Sequence, residues 1–223
     1  MNDEPKQHGG ARRGAGRRKS GLRRGGPHRT RPALSSRHPV HVVLRTVRGV
    51  PRLRQACMYE AIRRVLVRYI GLGAFRVVHI SIQHNHLHLL VEASGAHSLG
   101  RGMQSFAINA ARAINAAWGR EGSVFAFRYH ATQIKTDRYA RNAISYVVNN
   151  WRRHREDFFD GTSRCAKLDR FSSAIAFAGW TERFVKPSDY DPLPVSAPET
   201  ELLRTGWHRF GRIDPYERPG PLR

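Results

Sequence analysis

From residue 38 to about residue 155 the apolar side chains recur first every second residue and then every third or fourth, and the order of these two periods permits few folds. His38 to Val47 alternates, with Val40, Val42 and Leu44 on one face and His41, Val43 and Arg45 on the other. Gly49-Val50-Pro51 punctuates it. Between Leu53 and Ile70, Met58, Ile62, Val65, Leu66, Tyr69 and Ile70 fall at helical spacing, and Gly71 and Gly73 stop that helix. Phe75–Ile82 and Asn85–Glu92 read as two strands joined by a short turn, a hairpin. Ser98–Trp118 is an Ala-rich helix carrying Met103, Phe106, Ile108 and Ile114, with Gly119 and Gly122 flanking its end. Val124–Ile134 reads as a fourth strand, and Thr136 is placed to cap a helix from Asp137 to about His154.

The order β-α-β-β-α-β-α predicts an α+β protein: a ferredoxin-like (RRM-like) four-stranded antiparallel sheet with two helices on one face. The last helix is surplus to that plan and is expected across the other face or at a sheet edge. Beyond Phe159 the periodicity weakens. Phe171–Phe184 predicts one more helix, and seven prolines between residues 187 and 223 predict irregular chain that wraps the rest. The expected organisation is a tail over 1–33, a main domain over 34–160 and a C-terminal extension over 161–223.

Charge narrows the partner. The 223 residues hold 39 Lys+Arg against 17 Asp+Glu, a formal +22. Residues 1–33 contribute +8 and the remainder +14, so the surplus is not confined to a tail. That tail is Gly-rich with almost no large apolar residue, so it is expected to be disordered and to attract phosphate nonspecifically, or simply to solubilise. A surplus of this size points to a polyanion, usually nucleic acid. No apolar run is long enough to cross a bilayer, and no apolar stretch follows the basic N-terminus as a secretory signal requires. Two distant cysteines, Cys57 and Cys165, form no CxxC pair, which argues against a zinc finger or disulfide scaffold and for a reducing compartment.

Two constellations can carry chemistry. In Gln83-His84-Asn85-His86-Leu87-His88-Leu89-Leu90-Val91-Glu92, His86 and His88 share one strand face while Leu87, Leu89 and Val91 turn to the core. Two imidazoles spaced by two strand residues can converge on one metal ion; the competing reading is a pair of hydrogen-bonded or solvated histidines. The sequence is not HxHxDH, because Leu89-Leu90 occupy the downstream positions, and this argues against a classical zinc hydrolase site. On the last predicted helix, Tyr146 and Asn150 stand four residues apart and stack on one face. A tyrosine hydroxyl can attack a phosphodiester, and an amide oxygen is a hard ligand for a divalent cation. The plainer alternative is a Tyr146 that packs against the sheet. Helical phase separates Asn149 from this face.

These residues, in this order, resemble the HUH single-tyrosine (IS200-like) transposases, and most closely the REP-associated tyrosine transposase branch. The similarity rests on Asn85-His86-Leu87-His88-Leu89-Leu90, on Tyr146-Val147-Val148-Asn149-Asn150, and on the opening His41-Val-Val-Leu-Arg-Thr-Val-Arg-Gly49-Val-Pro-Arg-Leu-Arg54. It spans roughly residues 38–155. Two family features differ: His84 stands where a proline is usual, and Trp151 follows the distal asparagine in place of proline. The resemblance implies a DNA transposase and single-strand endonuclease that nicks hairpin-bearing single-stranded DNA through a 5′-phosphotyrosine intermediate. It implies Tyr146 as nucleophile, His86, His88 and Asn150 as ligands of Mg²⁺ or Mn²⁺, residues 34–160 as the catalytic domain, and a bacterial, cytoplasmic, nucleoid-associated location. A homodimer is left open.

Arg45, Arg128, His130, Arg152 and Arg153 are candidates to touch DNA, each against the alternative of a solvated charge. Tyr139 is a rival nucleophile, but Ala143 occupies the position four residues on. Two other classes compete with an enzyme: a non-catalytic nucleic-acid-binding module on the same sheet, and a basic structural protein. The second explains the tail but not His86-Leu-His88.

Overall fold

The computed structural model describes residues 33–159 and 167–222. The basic tail expected over residues 1–33 therefore falls almost wholly outside the described residues.

Four strands form one sheet: β1 (Val40–Arg45), β2 (Phe75–Ile82), β3 (His86–Ala93) and β4 (His130–Gln133). Their spatial order is β2-β3-β1-β4 and every neighbouring pair is antiparallel. With α1 (Ala56–Val67) and α2 (Ala96–Trp118) on one face, this is the ferredoxin-like arrangement that the order of periodicities predicts.

Alternation along each strand builds two different faces. Val40, Val42 and Leu44 of β1 and Leu87, Leu89 and Val91 of β3 join Met58, Ile62 and Leu66 of α1 and Met103, Phe106 and Ile114 of α2 in the main core. The opposite face is covered by α3 (Asp137–Val148), whose Ile144, Val147 and Val148 pack with Val78 of β2 and Leu90 of β3. Thr136 caps α3 as expected, its hydroxyl accepting from Tyr139 N–H at 3.2 Å.

Three expected elements differ. The fourth strand is only four residues long, not Val124–Ile134. Upstream of it the chain touches β1 through Val47 N–H to Val124 C=O and Ala126 N–H to Arg45 C=O, then loops out through the exposed Phe127 before the ladder resumes. The helix expected to run to His154 breaks at Asn149, where φ is −109° and ψ 12°, and resumes as α4 (Asn150–Arg153). Asn149 bonds sideways, its Nδ2 donating to Asp214 C=O at 2.9 Å, and a short amide side chain tolerates this departure from helical backbone. A further single turn, α5 (Glu156–Phe159), follows.

The helix expected over Phe171–Phe184 is reduced to one 3-10 turn, Ser173–Ala176. Backbone in this stretch serves the sheet instead: Ile82 N–H donates to Phe171 C=O at 2.8 Å and Ser172 bridges Ser81. The proline-rich end wraps as expected, but it also carries α6 (Glu201–Arg204) and a 3-10 turn at Gly206–Phe210. Leu203, Trp207 and Ile213 complete the second core against α3. Among the described residues no helix is long and apolar enough to cross a membrane.

Candidate active site

The face of the sheet turned to α3 carries the polar half of every strand. In the ladder His88 lies opposite Val43 of β1 and Ser81 of β2, and His86 lies opposite Arg45. Neighbouring positions add His41 on β1, opposite Leu90, and His130 on β4, opposite Val43. Chain segments far apart in sequence thus converge on one patch.

Within it the imidazoles are in mutual contact. His86 Nε2 lies 2.9 Å from His88 Nε2. On their other ring nitrogens, His86 Nδ1 lies 2.8 Å from Asn85 Oδ1, and His88 Nδ1 lies 3.0 Å from His41 Nε2. His41 and His88 are nearly parallel, with ring centroids 5.1 Å apart. Burial opposes the charged form of each ring. The pKa values of His41 and His86 are lowered to about 4, and that of His88 is driven well below the usual value. Secondary repulsion comes from His130 on His41, from His154 and Arg45 on His86, and from the other rings and Arg153 on His88. At neutral pH these rings are uncharged, the form in which imidazole binds metals.

Tyr146, on α3, stands against this cluster. Its ring meets His88 edge-on with centroids 5.2 Å apart, and His41 at 5.6 Å. It is half-buried, and the Arg153 guanidinium lies 5.6 Å from its ring centroid. Tyr146 and the two candidate ligands thus lie on one side of the sheet and within reach of one another.

Asn150 is fully buried, and neither of its amide heteroatoms has a hydrogen-bond partner among the described residues. A buried amide in that condition fits a cation or a water as its partner. Sequence reasoning missed His154. Its ring lies 5.6 Å from His86, and the ligand atoms of His86, His88 and His154 all fall within 4.8 Å of one another. The signal was present: Tyr146, Asn150 and His154 continue one i, i+4, i+8 stripe. The donor set fits a divalent cation. Two nitrogens bound at about 2.1 Å and at right angles to each other stand about 3 Å apart, close to the His86–His88 separation.

The five arginine and histidine candidates for DNA contact separate. Arg45, His130 and Arg153 are exposed and border the histidine cluster. Arg128 is exposed too, but it lines a cleft with His97, Arg101, Gln104 and Phe127 beside α2, a cleft whose lining includes none of His41, His86 and His88. Arg152 is corrected from a phosphate contact to a buried brace. Its Nε donates to Pro215 C=O at 2.6 Å, one Nη to Lys167 C=O at 2.9 Å and the other to Asp157 at 3.3 Å. The sequence showed three arginines after a helix and nothing of the carbonyls awaiting one of them.

That brace belongs to a larger strap. Glu217 accepts from both Nη atoms of Arg141 at 2.7 Å and from Ser145 Oγ at 2.7 Å, Asn149 donates to Asp214, and Arg153 donates to Pro219 C=O at 3.0 Å. The C-terminal chain therefore grips the tyrosine helix on both sides of Tyr146.

A ferredoxin-like sheet with paired histidines beside a helical tyrosine defines a class, and comparison with known proteins names it. The family model described as "Transposase IS200 like" matches residues 35–150, and the chain belongs to that family. Among solved structures, one of a REP-associated tyrosine transposase bound to a REP hairpin is similar, with 12% sequence identity and a TM-score of 0.45, covering 57% of this chain and 74% of that one. No curated protein matches.

Proposed function

We propose that this IS200-like transposase cuts and rejoins single-stranded DNA at hairpins, with Tyr146 as the nucleophile and a divalent cation, Mg²⁺ or Mn²⁺, held by His86, His88 and Asn150. The observation that carries the reading is the edge-on meeting of Tyr146 with His88, 5.2 Å between centroids, on a face where His88 Nε2 also meets His86 Nε2. When bound, the cation polarises the scissile phosphate and offsets the charge developing on its oxygens.

The protein's own residues supply the rest. Arg45, Arg153 and His130 draw the backbone phosphates toward the cluster. The Tyr146 oxygen attacks phosphorus, a new O–P bond forms as the bond to the 3′ oxygen breaks, and that oxygen leaves as a 3′-hydroxyl. Solvent takes the phenol proton and supplies the proton that the departing 3′ oxygen needs. The 5′-phosphotyrosine bond retains the phosphodiester's energy, so the reverse attack by a 3′-hydroxyl rejoins strands without a nucleotide cofactor.

The test is incubation of the full chain with single-stranded hairpin DNA and Mn²⁺. A protein–DNA adduct that survives denaturation is expected from the wild type and from neither Tyr146→Phe nor His86→Ala. Retardation of DNA by all three without an adduct would instead establish a non-catalytic binding protein.

A further inference from the structure

His41 lies on β1, 47 residues before His88, and belongs to neither motif of the site. It is nonetheless 6% exposed, and its Nε2 is 3.0 Å from His88 Nδ1. The two candidate ligands are held in the same way. Each has its Nε2 directed at the other, 2.9 Å apart, and each has its Nδ1 on a partner: Asn85 Oδ1 for His86 and His41 Nε2 for His88.

With a cation held between the two Nε2 atoms both must present lone pairs to it, and the tautomers then follow from donor and acceptor bookkeeping. A carbonyl oxygen only accepts, so His86 carries its proton on Nδ1 and offers a lone pair at Nε2. His88 can offer a lone pair at Nε2 only if its own proton sits on Nδ1, and that N–H then needs an acceptor. The nearest is His41 Nε2. If His41 instead donated, His88 would be forced to protonate Nε2 and lose its ligand atom.

We propose that His41 is a positioning residue for the metal site: its Nε2 accepts the His88 Nδ1–H, fixing the tautomer and ring orientation in which His88 Nε2 faces the cation. This rests on the metal-site reading given above. Outer partners of this kind are typically worth about 10- to 100-fold in metal affinity. The stacked rings of His41 and His88 add a steric guide, and the edge contact of His41 with Tyr146 places the same side chain between ligand and nucleophile.

Mn²⁺ binding to the full chain, followed by calorimetry and by the loss of free-Mn²⁺ electron paramagnetic resonance signal, tests this without DNA. His41→Phe fills the space but cannot accept, and is expected to weaken Mn²⁺ binding about 10- to 100-fold. His41→Gln retains an acceptor and is expected to recover most of the loss. Affinity within twofold of wild type in a folded His41→Phe overturns the proposal. His86→Ala separates the two levels. If it loses binding while His41→Phe keeps it, only the positioning role fails; if His86→Ala binds like wild type, the metal-site reading itself fails. Should His41→Phe not fold, the ¹⁵N spectrum of wild-type imidazoles decides. With Mg²⁺ bound, an Nδ1-protonated His88 is expected, and an Nε2-protonated His88 overturns the proposal.

Discussion

Leu87 and Leu89 differ from His86 and His88 by one step along the same strand, yet they serve opposite faces of the sheet. The leucines are fully buried in an apolar core beneath α1 and α2. The histidines are almost as buried, at 8% and 4% exposed, but against α3 in a patch of imidazoles. Burial alone therefore does not separate core from site. On one face it removes hydrocarbon from water and stabilises the fold; on the other it keeps titratable rings neutral and available. A strand with period two carries both jobs side by side.

Substitutions on adjacent residues break this comparison most sharply. His88→Ala is expected to abolish DNA cleavage while leaving a folded protein, read by adduct formation and circular dichroism. Leu89→Ala, one residue away, is expected to cost about 2–5 kcal/mol in denaturant unfolding through the cavity it leaves, with Mn²⁺ affinity unchanged in the folded fraction. Equal effects of the two on stability would remove the distinction.

Acid separates the faces next. His79, on the α3 side beside Ser173, is buried, and burial lowers its pKa to about 4. Its folded value lies below the unfolded one, so its contribution is fully present above pH 6.5 and is lost as the pH falls toward 4. At pH 5 this amounts to about 2 kcal/mol for that residue alone. The urea midpoint is expected to fall across this window, and less steeply in His79→Gln.

Smaller effects sharpen the picture at its margins. Glu217→Gln, which weakens the grip on Arg141 and Ser145, is expected to cost about 1 kcal/mol of stability. Arg45→Gln is expected to reduce the slope of log affinity for single-stranded DNA against log salt by about 0.7, the share of one phosphate contact.

The two faces were legible in the sequence because alternation is local. Val40, Val42 and Leu44 against His41, Val43 and Arg45 sorted as expected, and the tyrosine helix lies across the face that the sheet pattern left open. What escaped was set by partners distant in the chain. Nothing near Arg152 announces Pro215, nothing near Ser145 announces Glu217 72 residues on, and the break at Asn149 depends on Asp214. The fourth strand was overestimated because Val124–Ile134 has strand-like residues throughout, whereas only His130–Gln133 runs against β1 as a regular ladder. His154 lay on a visible stripe, but the stripe crosses the break in the helix.

The central claim is that Tyr146 forms the bond to DNA. Trypsin digestion of the covalent adduct tests it directly, because cleavage after Arg141 separates Tyr139 from the peptide Asn142–Arg152 that holds Tyr146. Mass spectrometry is expected to find the nucleotide on Asn142–Arg152 and, within it, on Tyr146. A nucleotide on Tyr139, or on any residue outside that peptide, would contradict the account.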